Sequence, residues 1–138
     1  MSFDGVKIVL KKIIFILAAL LISANLANAA PDSKGTNFWL AFPGQISTGQ
    51  LTLFIAGDVS TSGNVSIPGM SFSQNFVVTP GQVTVVNLPV SAQLSTTDGT
   101  DNKAIHVTAE DEVTVYGLNR ASATTDAYLG LPTDILGT

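Results

Sequence analysis

His106 is the only histidine in the chain, and with no cysteine present it is the one side chain that could act as a near-neutral base. A nucleophilic hydrolase would need its imidazole bonded to a serine hydroxyl on one side and to an orienting group on the other. Serine and aspartate are plentiful, yet no Gly-x-Ser-x-Gly elbow marks a nucleophile. One imidazole without thiolates also falls short of the usual zinc ligand set. Metal chemistry would rest on carboxylates, in Glu110–Asp111–Glu112 and in the oxygen-rich Asp98–Gly99–Thr100–Asp101–Asn102. Calcium takes such ligands, but neither stretch has the alternating aspartates of a calcium loop. A glycosidase needs two acids at a set separation, which spacing in sequence does not supply. No phosphate-cradling glycine loop or dinucleotide fingerprint is present. These residues assign no catalytic group, no cofactor and no metal. A secreted hydrolase using His106 is the alternative to a binding role.

Two further side chains could recognise a partner. Trp39, the single tryptophan, lies in Asn37–Pro43 (NFWLAFP), where dense aromatics read as core anchors; an exposed stacking platform is the other reading. Arg120 has Asp126 and Asp134 within reach across the following loop and reads as a structural ion pair or a surface residue. Asn64–Val65–Ser66 matches a glycosylation sequon, a weak signal alone.

The elements that must position these residues are strands. Alternating apolar and polar side chains mark Leu51–Ala56, Asn64–Ile67, Phe72–Thr79 and Gln82–Leu88, stopped in turn by Pro68–Gly69, Pro80–Gly81 and Pro89. Leu51–Ala56 is apolar on both faces, as expected of a central strand. Ala104–Val107 and Val113–Leu118 flank the acidic triplet, a pattern that predicts a β-hairpin with Glu110–Glu112 as its turn. Ala127–Leu131 is the last strand and Val90–Leu94 a marginal one. Seven or eight short strands at roughly 8–12-residue spacing predict an all-β, antiparallel sandwich-like domain. Its expected core is Trp39, Phe42, Leu53, Ile55, Val85, Ile105, Val107, Val113, Val115 and Leu129.

Residues 1–29 read as a secretory signal peptide, and 30–138 as the β-rich domain. Lys7, Lys11 and Lys12 precede the apolar run Ile13–Ile22, and Ala27–Asn28–Ala29 offers the small residues of a cleavage site. An apolar core of this length is about half of what spans a bilayer. Beyond it, three cations face nine carboxylates, a balance that argues against a nucleic-acid partner. An exported chain without disulfides fits a bacterial envelope. Secretion or display at the cell surface is therefore expected, with contact to the membrane only during export.

The opening GTNFWLAFP and the line AIHVTAEDEVTVYGLNRASATTDAYLGLPTDILG also resemble the N-terminal domain of the IgGFc-binding protein family. The resemblance implies a module of extracellular or surface proteins. Because that family's domain is longer, it further implies that this chain corresponds to part of a larger β module. It carries no residue-level binding motif. Together these readings lead to a non-catalytic adhesion or binding module for an extracellular protein or glycan, with weak, avidity-dependent affinity. Its loops Gly44–Gln50, Ser60–Gly63, Ser95–Asn102 and Ala121–Asp126 are the expected contact points. An unpaired edge near Ala127–Leu131 would favour self-association.

Overall fold

The computed structural model describes residues 33–45, 49–95 and 98–136. The chain divides at Ala30–Pro31, and the β domain is the second of the two units. The signal-peptide reading of residues 1–29 lies outside the described residues.

The domain is built on one long strand. The described residues form seven strands: β1 Gly35–Leu40, β2 Gln50–Gly57, β3 Thr61–Ile67, β4 Phe72–Val78, β5 Thr84–Leu88, β6 Ile105–Arg120 and β7 Thr125–Leu129. Every pairing is antiparallel. The first half of β6 lies between β1 and β3, and β3 carries β4 on its far side. Its second half lies between β2 and β7, and β2 carries β5. One sheet therefore forms two four-stranded layers, β1-β6-β3-β4 and β7-β6-β2-β5, that share β6 and fold over a common core. This is an all-β, sandwich-like architecture, as the strand pattern predicts.

The hairpin expected at Glu110–Glu112 does not form: the triplet lies inside β6. Odd-numbered residues of β6 face the core on both sides of it, from Ile105 and Val107 to Val113, Val115 and Asn119. Two steps along β1, Gly35 to Asn37, answer five along β6, Val113 to Thr108. The surplus acidic residues bulge into solvent, bending the strand from one layer into the other. The Asp111 N–H, left without a ladder partner there, donates to Thr61 Oγ1 at 2.9 Å. Three adjacent carboxylates imitate a turn because both a turn and a bulge expose backbone to water.

The core holds Phe38, Leu40 and Phe42, Leu51, Leu53 and Ile55, Val65 and Ile67, Phe76 and Val78, Val86 and Leu88, and Ile105, Val107, Val113 and Val115. Three expected members lie outside it: Trp39, Val85 and Leu129 are 49%, 51% and 37% exposed. In each case the alternation runs one residue out of step with the expectation. Phe38 and Val86 turn inward, so their neighbours Trp39 and Val85 turn outward.

Thr79–Gln82 closes the β4–β5 connection. Gln82 N donates to Thr79 O at 3.0 Å, with Pro80 second and Gly81 third at φ +77°. Those are the positions at which a type II turn favours proline and needs a positive φ. Val90–Ala92 is a 3-10 turn rather than a strand.

Candidate functional site

Alternation along β1 and β6 sends Asn37, Trp39, His106 and Thr108 to the outer face of the first layer. The registers then fix their neighbours. Trp39 stands opposite His106 and His106 opposite Ser66, which faces Ser73. In the adjoining row, Asn37 stands opposite Thr108, Thr108 opposite Asn64, and Asn64 opposite Asn75.

The first row begins with a stacked pair. The indole of Trp39 and the imidazole of His106 lie with centroids 4.1 Å apart and planes 6° from parallel. His106 Nε2–H donates to Asn37 Oδ1 at 3.0 Å, which fixes the ring from the diagonal position on β1. Asn64 Nδ2 donates to both Ser73 Oγ, at 2.9 Å, and Asn75 Oδ1, at 2.8 Å. Further along the same face, over β3, β4 and β6, runs an open groove of about 560 Å³, lined by Ser62, Asn64, Asn75, Val77, Thr108 and Glu110 among others. The outer face of this layer therefore carries a stacked aromatic pair and, separately, a trough of amides, hydroxyls and one carboxylate.

Compared with known family models, curated proteins and solved structures, the chain matches none.

The other sequence-derived candidates fall elsewhere. Among the described residues the His106 ring bonds only to Asn37, so no serine hydroxyl or carboxylate is joined to it. The same residues contain no group of three or more His, Asp or Glu placed to hold a metal. In the oxygen-rich loop, Asp101 is occupied internally. Its Oδ2 accepts from Ser95 N at 3.3 Å and Ser95 Oγ at 3.2 Å, and lies 3.4 Å from Lys103 Nζ. Lys103 also donates to Gln93 O at 2.9 Å. Partial desolvation pushes the Asp101 carboxyl up, but the two Ser95 bonds and the Lys103 ammonium outweigh it and hold it below the ordinary 3.8.

Two of the loops expected to make contacts, Gly44–Gln50 and Ala121–Asp126, are tied to each other. Gln45 Nε2 donates to Asp126 Oδ2 at 2.7 Å, and Thr124 Oγ1 donates to Gln45 Oε1 at 2.8 Å. Asn119 Nδ2 donates to Pro43 O at 3.3 Å. Thr61–Gly63 belongs to β3 rather than to a loop. Residues 46–48 and 96–97 of two of these loops lie outside the described residues. Asp126 is thus taken by Gln45, and Arg120 makes no ion pair among the described residues; it is a surface residue. Behind this corner Tyr128 packs edge-on against Phe42, centroids 5.5 Å apart, and its hydroxyl donates to Ala41 O at 2.8 Å. Burial pushes its phenol up to about 12.

The stacking platform was foreshadowed by the lone tryptophan alone. The asparagine row left no trace in the sequence order, because Asn37, Asn64 and Asn75 meet only through strand register.

Proposed function

We propose that this chain is a non-catalytic, exported binding module that takes a neutral saccharide on the outer face of its first layer. The observation that carries the reading is the half-exposed Trp39 ring, stacked on His106 on the same outer face as the Asn64–Asn75 groove. A pyranose presents an apolar face of C–H groups, which suits a flat indole, and a rim of hydroxyls, which both donate and accept. Asparagine amides and Glu110 offer the complementary groups, and carboxylate acceptors make the stronger bonds. The volume of the trough falls within the range of small-ligand sites. The side chains are held by the sheet and by each other, so little conformational freedom is lost on binding.

The signal-like N-terminus and the resemblance to the IgGFc-binding N-terminal domain support an extracellular setting. One shallow face with a single aromatic anchor supports weak affinity strengthened by multiple copies.

The lone tryptophan supplies the assay. Titrating the full chain with a panel of neutral oligosaccharides should change its indole emission and saturate. Trp39→Phe should keep calorimetric binding, whereas Trp39→Ala and Asn64→Ala should each weaken it about tenfold or more. Binding that survives Trp39→Ala unchanged, or saccharide turnover that His106→Ala abolishes, would sink the proposal; the second result would favour the hydrolase.

A further inference from the structure

The outer face of the second layer carries a different chemistry. Register aligns Val85 of β5, Phe54 of β2, Tyr116 of β6 and Leu129 of β7 in one row across all four strands. Alternation turns this row outward. Tyr116 is 49% exposed, and Val83, on the same face two residues from Val85, is 59% exposed. Leu118 lies next to Tyr116 on that face and is half-buried. Together these side chains expose roughly 400 Å² of mostly apolar surface, within the range of the largest patch on a monomer, which is often functional.

The charges flanking the row are arranged about its centre. Along the outward face of β6 the order is Glu112, Thr114, Tyr116, Leu118, Arg120, so the two charges lie four residues on either side of Tyr116. Neither makes an ion pair among the described residues. At the Glu112 end, Asp58 is paired with Lys34 and Asp111 lies beside Glu112, which leaves that end acidic. A recess of about 260 Å³ opens there between Lys34, Asp58, Val83 and Thr114. At the other end, about 27 Å along the strand at the usual rise, Arg120 is the charge on the outward face, with Asp126 on the opposite parity of β7 bonded to Gln45.

We propose that this face is a homodimer interface, with a second copy of the chain as its occupant. The two-fold axis runs along the Val85–Phe54–Tyr116–Leu129 row. Such an axis reverses the facing β6 strand, laying Tyr116 over Tyr116 of the second copy and Glu112 over its Arg120, twice by symmetry. An isologous contact requires this self-complementarity: each residue must find at its mirrored position something it attracts. Sheets packed face to face lie about 10 Å apart with strands within about 30° of alignment, close enough for the row to interlock and the end charges to meet. The apolar area is below that of a standard interface, so the dimer forms and dissociates with concentration. The inference is independent of the saccharide reading, since the two faces belong to different layers.

Sedimentation velocity of the full chain over a wide concentration range tests it, with circular dichroism confirming that each variant is folded. Reversible dimerisation is expected, and Tyr116→Glu should remove it. Glu112→Arg and Arg120→Glu should each weaken it about tenfold, since each sets like charges opposite one another at both ends. The double variant E112R/R120E should restore the dissociation constant to within about threefold. Association that ignores Tyr116→Glu, a monomer at all concentrations, or a double variant no better than the single ones would overturn the proposal. The first result would indicate edge-to-edge strand addition instead.

Discussion

Gly63→Ala is the sharpest test of the packing between β3, β4 and β6. A Cβ at this position would lie 2.2 Å from the Thr108 carbonyl oxygen and 2.3 Å from Cζ of Phe76. Real contacts of this kind stay beyond about 3 Å, so both neighbours must move. Phe76 is almost completely buried and covers the glycine from the next strand, its Cα partner. Pushing the ring aside forfeits part of the 3–5 kcal/mol that full removal of a buried phenylalanine costs. Separating β3 from Thr108 instead strains the β3–β6 ladder, at about 1 kcal/mol per hydrogen bond lost. Either route leads to about 3 kcal/mol of destabilisation, which in a domain of about 100 residues lowers the melting temperature by roughly 10–20 °C. Urea denaturation of Gly63→Ala, Phe76→Ala and their double variant would measure it. Emptying the Phe76 site relieves one of the two collisions, so the double variant should be more stable than additivity allows, by about 1 kcal/mol or more. A Gly63→Ala protein within about 0.5 kcal/mol of the parent, or strictly additive losses, would refute this account of the packing.

Gly81→Ala should cost only about 1 kcal/mol by equilibrium denaturation, because nothing crowds that position and the whole penalty is the positive φ. The Tyr128 phenol titrates near 12 when folded against 10.0 ordinarily, so its contribution is complete below pH 10. Unfolding above pH 10 releases a proton, and stability should fall as pH rises towards 12; Tyr128→Phe should flatten that slope in a pH series of denaturation curves. Asp101 has the opposite sign. Its lowered pKa adds stability above the ordinary 3.8, which is lost as pH falls through the folded value, and Asp101→Asn should abolish that acid dependence. Thr61→Val should destabilise by about 1 kcal/mol, read from a urea midpoint, through the lost bond to the Asp111 N–H.

Strand positions were largely legible because prolines and glycines stop them: Pro80–Gly81 separates β4 from β5 as read, and Leu51–Ala56 is central as its two apolar faces imply. Which face a strand buries was less legible wherever apolar residues occupy both parities. In Phe38–Trp39 and Val85–Val86 either neighbour could face inward, and the choice is made by the partner strand across the core. The continuity of β6 was hidden for a different reason. Its two halves look complementary in sequence, but each is satisfied by two other strands. The candidate site depends on register between β1, β3, β4 and β6, a long-range property. The internal ties of the loops were not legible, because polar composition does not reveal whether Gln45 or Asp101 bonds to its own chain or to a ligand.

The shared strand also sets the order in which the domain can assemble. The β2–β5 and β3–β4 pairs join segments that are close in sequence, but β1 must find β6 roughly 70 residues downstream, a separation that makes closure slow. The first layer cannot close before residues 105–113 of β6 have been synthesised, nor the second before residues 113–120, since each lacks its central member until then. Strand-by-strand folding during translation is therefore closed to this domain. For most of its synthesis the chain lacks the strand on which both layers are built, and the domain can close only once that strand arrives.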